Sequence, residues 1–167
     1  MLPPRARADG RPAGGQDGCT PLHLAAQSGH QDAAALLLER SDADAEDGCG
    51  NTPAWAAFRA GHSDVARFLI GVGGADVNAA CEEGKTYLHD AASRNAVDDA
   101  AWLLEHGAAV TATDARSDTP LQAAAAAGAW RVGRLLVEKG ASVNARGKAR
   151  ERARQPAYAW LLACVGR

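Results

Sequence analysis

The stretch "DGCTPLHLAAQSGH" (Asp17–His30) recurs in altered form three more times in this chain. From Asp47 it returns as "DGCGNTPAWAAFRAGH", from Glu83 as "EGKTYLHDAASRNA", and from Ser117 as "SDTPLQAAAAAGA". The threonines Thr20, Thr52, Thr86 and Thr119 are 32, 34 and 33 residues apart. Self-similarity at that period calls for a stacked repeat array, whose units bury their apolar faces against one another.

One unit can be read as physics. A threonine followed by proline starts a helix: the hydroxyl accepts from an orphan backbone N–H, and proline suits the first helical position. "PLHLAAQS" is then a two-turn helix, and Gly29 stands where a left-handed capping residue is wanted. "QDAAALLLER" is a second helix with Asp32 in its first turn, near the positive end of the helix dipole; Asp64 and Asp98 repeat that placement. An irregular turn such as "SDADAEDGCG" follows. The alanine pairs Ala25–Ala26, Ala56–Ala57, Ala91–Ala92 and Ala123–Ala124 should let neighbouring helices approach closely. The pairs Leu37–Leu38, Leu69–Ile70, Leu103–Leu104 and Leu135–Leu136 should fill the space between layers. The predicted fold is all-α, with a turn, a helix, a turn and a helix in each of four units.

These residues resemble the ankyrin repeat family. Its signature stands complete as Thr20-Pro21-Leu22-His23-Leu24-Ala25 and in part at Thr52–Ala57, Thr86–Ala91 and Thr119–Ala124. Its hairpin residues are matched by Gly74-Ala75-Asp76-Val77-Asn78 and, modified, by Gly140–Asn144. The resemblance covers about residues 17–146, with repeats at about 17–46, 47–80, 81–113 and 114–146, and implies an ankyrin repeat solenoid with projecting hairpin turns. The hairpin after the first repeat is one residue short, and the one after the second carries an extra glycine. After Arg146 the pattern fails, with Arg152-Ala153 where Thr-Pro is due. Residues 147–167 are read as a basic linker and a degenerate capping helix, packed through Trp160, Leu161 and Val165. Residues 1–16 are read as a disordered tail.

Charge is unevenly distributed. The net charge of −2 divides into +2 over residues 1–16, −8 over 17–146 and +4 over 147–167. An acidic repeat body repels nucleic acid phosphate, so nucleic acid is not an expected partner. No run of 18 apolar residues suggests a membrane span, and no signal-peptide pattern precedes the four unpatterned cysteines. The expected setting is the cytoplasm or nucleus.

Candidate chemistry is sparse. His23 and His89 hold the signature position and His30 and His62 the glycine-histidine turn, which the resemblance makes structural hydrogen-bonding residues. Cys19, Cys49 and Cys81 lie near turns, but staggered offsets and a missing fourth ligand argue against zinc. "RGKARERAR" (Arg146–Arg154) reads either as a solvated basic face or as a nuclear-import patch. No phosphate loop or nucleophile–His–acid set is present, so neither a cofactor, a metal nor an enzymatic activity is expected.

The family resemblance instead implies a protein–protein interaction module, an adaptor or scaffold binding through a concave face and hairpin tips. A repeat-type inhibitor or regulatory subunit of an enzyme is the alternative. Carried over position by position, the tips are Asn51, Glu82, Glu83, Lys85, Arg116 and Asp118. The first-helix contacts are Gln27, Ser28, Arg59, Ser93 and Arg94. Ala125, Ala126 and Ala127 leave the fourth repeat's face nearly featureless. The expected state is a monomer. Asn78, with Asp76 two residues before it, also resembles a site of asparaginyl hydroxylation.

Overall fold

The computed structural model describes residues 18–81 and 83–143. The tail at 1–16, Glu82, the basic patch and the capping helix at 147–167 lie outside the described residues. Eight helices are present among those described: α1 (Pro21–Gln27), α2 (Gln31–Leu38), α3 (Pro53–Ala60), α4 (Ser63–Gly71), α5 (Tyr87–Ser93), α6 (Val97–Glu105), α7 (Pro120–Ala127) and α8 (Trp130–Glu138). The chain divides into two compact units, Met1–Glu82 with α1–α4 and Glu83–Arg167 with α5–α8.

The helices begin where the threonines stand. Thr20, Thr52, Thr86 and Thr119 are all extended N-caps, and proline fills the first helical turn of α1, α3 and α7. The Thr52 hydroxyl accepts from the Trp55 N–H at 3.3 Å, which satisfies one of the orphan donors of the helix start. The first helices stop at a left-handed residue: Gly61 after α3, Gly128 after α7, and Asn95 (φ 55°) after α5. Asparagine tolerates that region better than most side chains, so the third repeat can do without glycine here. Asp32, Asp64, and Asp98 with Asp99 sit in the first turns of α2, α4 and α6, as the dipole favours.

Within the first unit α1 packs on α3, α2 packs on α4, and each first helix packs on its own second helix; α5–α8 repeat this arrangement in the second unit. Leu22, Ala26, Ala57, Phe58, Val65 and Leu69 are wholly buried in one unit. Tyr87, Ala91, Ala92, Leu103, Ala124, Ala125, Val132 and Leu136 form most of the core of the other. Burial of side chains the size of Phe58 or Leu69 contributes about 1.5–3 kcal/mol each.

Two packing expectations are corrected by register. Counted from each threonine, the partners of Ala25–Ala26 are Ala57–Phe58, Ala91–Ala92 and Ala124–Ala125; Ala56 and Ala123 are only half-buried. The close-packed pair is therefore one residue later than expected in repeats two and four, and Phe58 replaces its second alanine. The leucines are not equivalent either. Leu69, Leu103 and Leu136 are fully buried, whereas Leu37, Leu38, Leu104 and Leu135 are half-buried. Leu135 aligns with Phe68 and Trp102, at the half-buried position preceding the core leucine. Leu37 holds the core position, but α2 belongs to the first described layer and, among the described residues, has a neighbouring layer on one side only. The same cause leaves Leu24 at 55% and Leu36 at 71% exposure.

Candidate partner-binding site

The signature histidines tie one repeat to the next. His23 is a buried residue of α1 whose Nδ1 accepts from the Thr20 backbone N–H at 3.2 Å and from the Thr20 hydroxyl at 2.8 Å. Its Nε2–H donates across 28 residues to the Asn51 carbonyl at 2.9 Å. A carbonyl can only accept and a backbone N–H can only donate, so this pattern fits the Nε2–H tautomer. His89 repeats this geometry with Thr86 (3.2 and 2.9 Å) and the Asp118 carbonyl (2.9 Å). Burial pushes the His89 pKa below the ordinary imidazole range; its bond to Asp118 and the carboxylates of Asp114 and Asp118 offset this only in part. Gln122 takes over the cap in the fourth repeat, its Oε1 accepting from the Thr119 N–H at 2.8 Å.

Those carbonyls are held in place by hairpins folded around an aspartate. Asp47 Oδ1 accepts from the N–H groups of Cys49 (2.8 Å) and Asn51 (2.9 Å) and from the Asn51 side-chain amide (3.2 Å). Asp114 Oδ1 accepts from the N–H groups of Arg116 (2.8 Å) and Asp118 (2.9 Å). Across the neck, the Asp47 N–H donates to the Asn51 carbonyl at 2.9 Å and the Asp114 N–H to the Asp118 carbonyl at 3.0 Å. Burial would raise the Asp47 pKa, but the donors from Asn51 and Cys49 outweigh it and hold the carboxyl below its usual range. Each aspartate stands five residues before a threonine, at Thr52 and Thr119. That repeated spacing is the signal in the sequence that marks them.

Hairpin tips also stack closely. In the second unit the Ala115 N–H donates to the Glu83 carbonyl at 2.9 Å. Gly84 (φ +69°) lies so near that a Cβ on it would stand 2.9 Å from the Ala115 nitrogen. In the first unit Gly18 (φ +75°) stands in the same relation to the Gly48 nitrogen. At the far end of the first unit's hairpins, the Asp76 N–H donates to both carboxylate oxygens of Asp44, at 2.9 and 3.2 Å. Exposed Asn78 follows, its N–H donating to Asp76 Oδ1 at 2.9 Å.

Between hairpin and first helices the first unit leaves a groove of about 330 Å³, lined by Cys19, His23, Gln27, Asp47, Asn51, Ala56, Arg59 and Ala60. Three of the residues expected to bind a partner meet here: Gln27, Asn51 and Arg59. Gln27 and Arg59 are exposed, as is Ser28 at the end of α1. Asn51 is a correction. It is only 8% exposed and is spent within its own hairpin, with its side chain on Asp47 and its carbonyl on His23. It forms part of the groove wall and does not project as a tip.

In the second unit the expected residues are mostly engaged with their neighbours. Exposed Glu83 pairs with Lys85 at 2.5 Å, and the Lys85 ammonium holds the Glu83 carboxyl below its usual range. Arg94 pairs with Asp90 one turn earlier on α5, also at 2.5 Å. The Ser93 hydroxyl donates to the Asp90 carbonyl at 2.9 Å. Arg116 is an exposed tip, and Asp118 is half-buried beneath it.

Among the described residues, no group of three or more His, Cys, Asp or Glu side chains gathers as a metal site would require, and no helix is long and apolar enough to cross a membrane. Cys49 and Cys81 carry free thiols.

No curated protein matches the chain. A family model described as ankyrin repeats (3 copies) matches residues 22–114 and again 74–147, together about three quarters of the sequence. Ankyrin repeats serve generally as protein–protein interaction modules and are typically non-catalytic. The helix pairs, the threonine caps, the bridging histidines and this match agree: the chain belongs to the ankyrin repeat family.

Proposed function

We propose that this chain is a non-catalytic adaptor or scaffold that binds a protein partner through the hairpin-side groove and the neighbouring tips. The observation that carries the reading is the division of labour around the groove. Buried His23 and Asn51 are consumed in holding one repeat to the next and half-buried Asp47 in folding the hairpin, while Gln27 and Arg59 stand exposed beside them. Preorganised walls with free polar side chains suit recognition, because little ordering entropy remains to be lost on binding. The same commitment of the imidazoles leaves neither ring nitrogen of His23 or His89 available as a general base. The chain is further proposed to act as a monomer in the cytoplasm or nucleus.

Affinity capture with the full chain as bait, followed by calorimetry with the purified captured protein, tests this. Saturable binding at a fixed stoichiometry is expected. Absence of any partner that binds saturably when purified would sink the reading.

A further inference from the structure

We propose that the groove of the first unit takes an aspartate or glutamate side chain of an extended peptide segment, with Arg59 as its anchor. This rests on the protein-binding reading above and adds the chemistry of what is bound.

The proposal follows from comparing cations. Lys85 is held by Glu83 and Arg94 by Asp90, each at 2.5 Å. Arg59, exposed on the last turn of α3 and lining the groove, is paired with no carboxylate among the described residues. The one carboxylate in the groove wall cannot supply that pairing. Asp47 Oδ1 receives three N–H donors and Oδ2 a fourth contact from the Asn51 amide at 3.1 Å. To turn toward Arg59 it would have to abandon the hairpin that positions the Asn51 carbonyl for His23. Those donors occupy its oxygens, so Arg59 is the charged group of the groove wall left to meet an incoming carboxylate.

The remaining wall fits the same occupant. Ala56 and Ala60 keep the α3 face low, and Gln27 faces the groove from α1 with an amide that can donate to a second carboxylate oxygen. A volume of about 330 Å³ admits one side chain with its flanking backbone. A guanidinium offers a carboxylate two parallel donors, which fixes orientation as well as charge. A lysine in the groove would be repelled by Arg59, and an apolar side chain would strip water from it without replacement. The second unit has Ala126 and Ala127 at the positions of Arg59 and Ala60, so this preference belongs to the first unit alone.

The test uses the immobilised full chain and three fluorescent decapeptide pools, randomised except for a central Glu, Gln or Lys. The Glu pool should be retained at least about tenfold better than the other two at 0.15 M salt, the size of one charge-assisted pair. Arg59→Gln should erase that preference, and Arg59→Lys should restore part of it. Arg131→Gln removes an equal charge from an exposed site on α8 and should leave the preference intact. Far-ultraviolet circular dichroism confirms that each variant is folded. Equal retention of the Glu and Gln pools overturns the proposal, as does a preference that survives Arg59→Gln. Retention blind to the central residue but abolished by Ala56→Trp would overturn the acidic anchor and leave the protein-binding reading standing. Retention of no pool also overturns the anchor, and the capture experiment then judges the broader reading separately.

Discussion

His23 Nε2 stands 2.9 Å from the carbonyl oxygen of Asn51, a residue of the next repeat. Through that bond the helix cap of one repeat fixes the hairpin of the following one, and the hairpin in turn walls the groove. His89 and Asp118 make the same link in the second unit. Replacing either histidine should therefore do more than remove one hydrogen bond. His89→Ala leaves the buried Thr86 N–H without its acceptor and the Asp118 carbonyl with the Asp114 N–H but no link to the preceding repeat, and should cost roughly 1–3 kcal/mol. His89→Gln should cost less, because Gln122 already caps Thr119 through its side-chain oxygen. Urea unfolding of the three proteins checks the order; equal midpoints for wild type and His89→Ala would contradict it.

Acid should weaken the fold in two windows. The folded pKa of His89 lies below its ordinary value of 6.5, so the unfolded chain takes up a proton first. Its contribution is complete above pH 6.5 and is lost as pH falls through the folded pKa. Asp47 is likewise depressed below its ordinary 3.8 and loses its contribution in a second, lower window. Thermal melting followed from pH 8 to pH 5 should show Tm falling below about pH 6.5, with a smaller fall in His89→Gln. A Tm that rises on acidification through that range would reverse the sign.

Core leucines should separate from their repeat counterparts. Leu69→Ala, Leu103→Ala and Leu136→Ala each open a cavity at a fully buried site and should cost roughly 2–5 kcal/mol. Leu37→Ala and Leu135→Ala, both at half-buried sites, should cost visibly less. Chemical denaturation of the five variants measures this, and equal losses at Leu37 and Leu103 would contradict the layer argument.

Two glycines should respond differently to alanine. Gly84→Ala combines a positive φ with a Cβ 2.9 Å from the backbone nitrogen of Ala115, so the stacked hairpin tips must separate. Gly61→Ala meets nothing within 4 Å and carries only the left-handed penalty, about 1–2 kcal/mol. Unfolding midpoints should rank Gly84→Ala as the less stable; the opposite rank would argue against tight tip packing.

Much of this was legible in the sequence because it is local. Thr-Pro starts and Gly or Asn stops lie within one helix length of what they control, and the helix pairs fall where those signals put them. Asn51 was misread because its fate depends on His23, 28 residues away, and on an aspartate-centred turn that the Thr-Pro pattern does not contain. Leu37 was misread because a repeat pattern assigns equal burial to equal positions, whereas burial depends on the layers that flank each one. Arg59 was identified as a surface residue, but that Lys85 and Arg94 are paired while Arg59 meets no carboxylate among the described residues could be seen only from side-chain geometry.

The central claim is that recognition and folding reside on different side chains. The direct measurement compares the full chain with a Gln27/Arg59/Lys85/Arg94 quadruple alanine variant, recording Tm and the Kd for the captured partner. Each substitution at these half-exposed or exposed positions should change stability by no more than about 0.5 kcal/mol, so the variant should stay folded. The account predicts a folded variant whose affinity falls at least about tenfold, a loss on the scale of one charged contact. A folded variant that binds the same partner with unchanged Kd would contradict it.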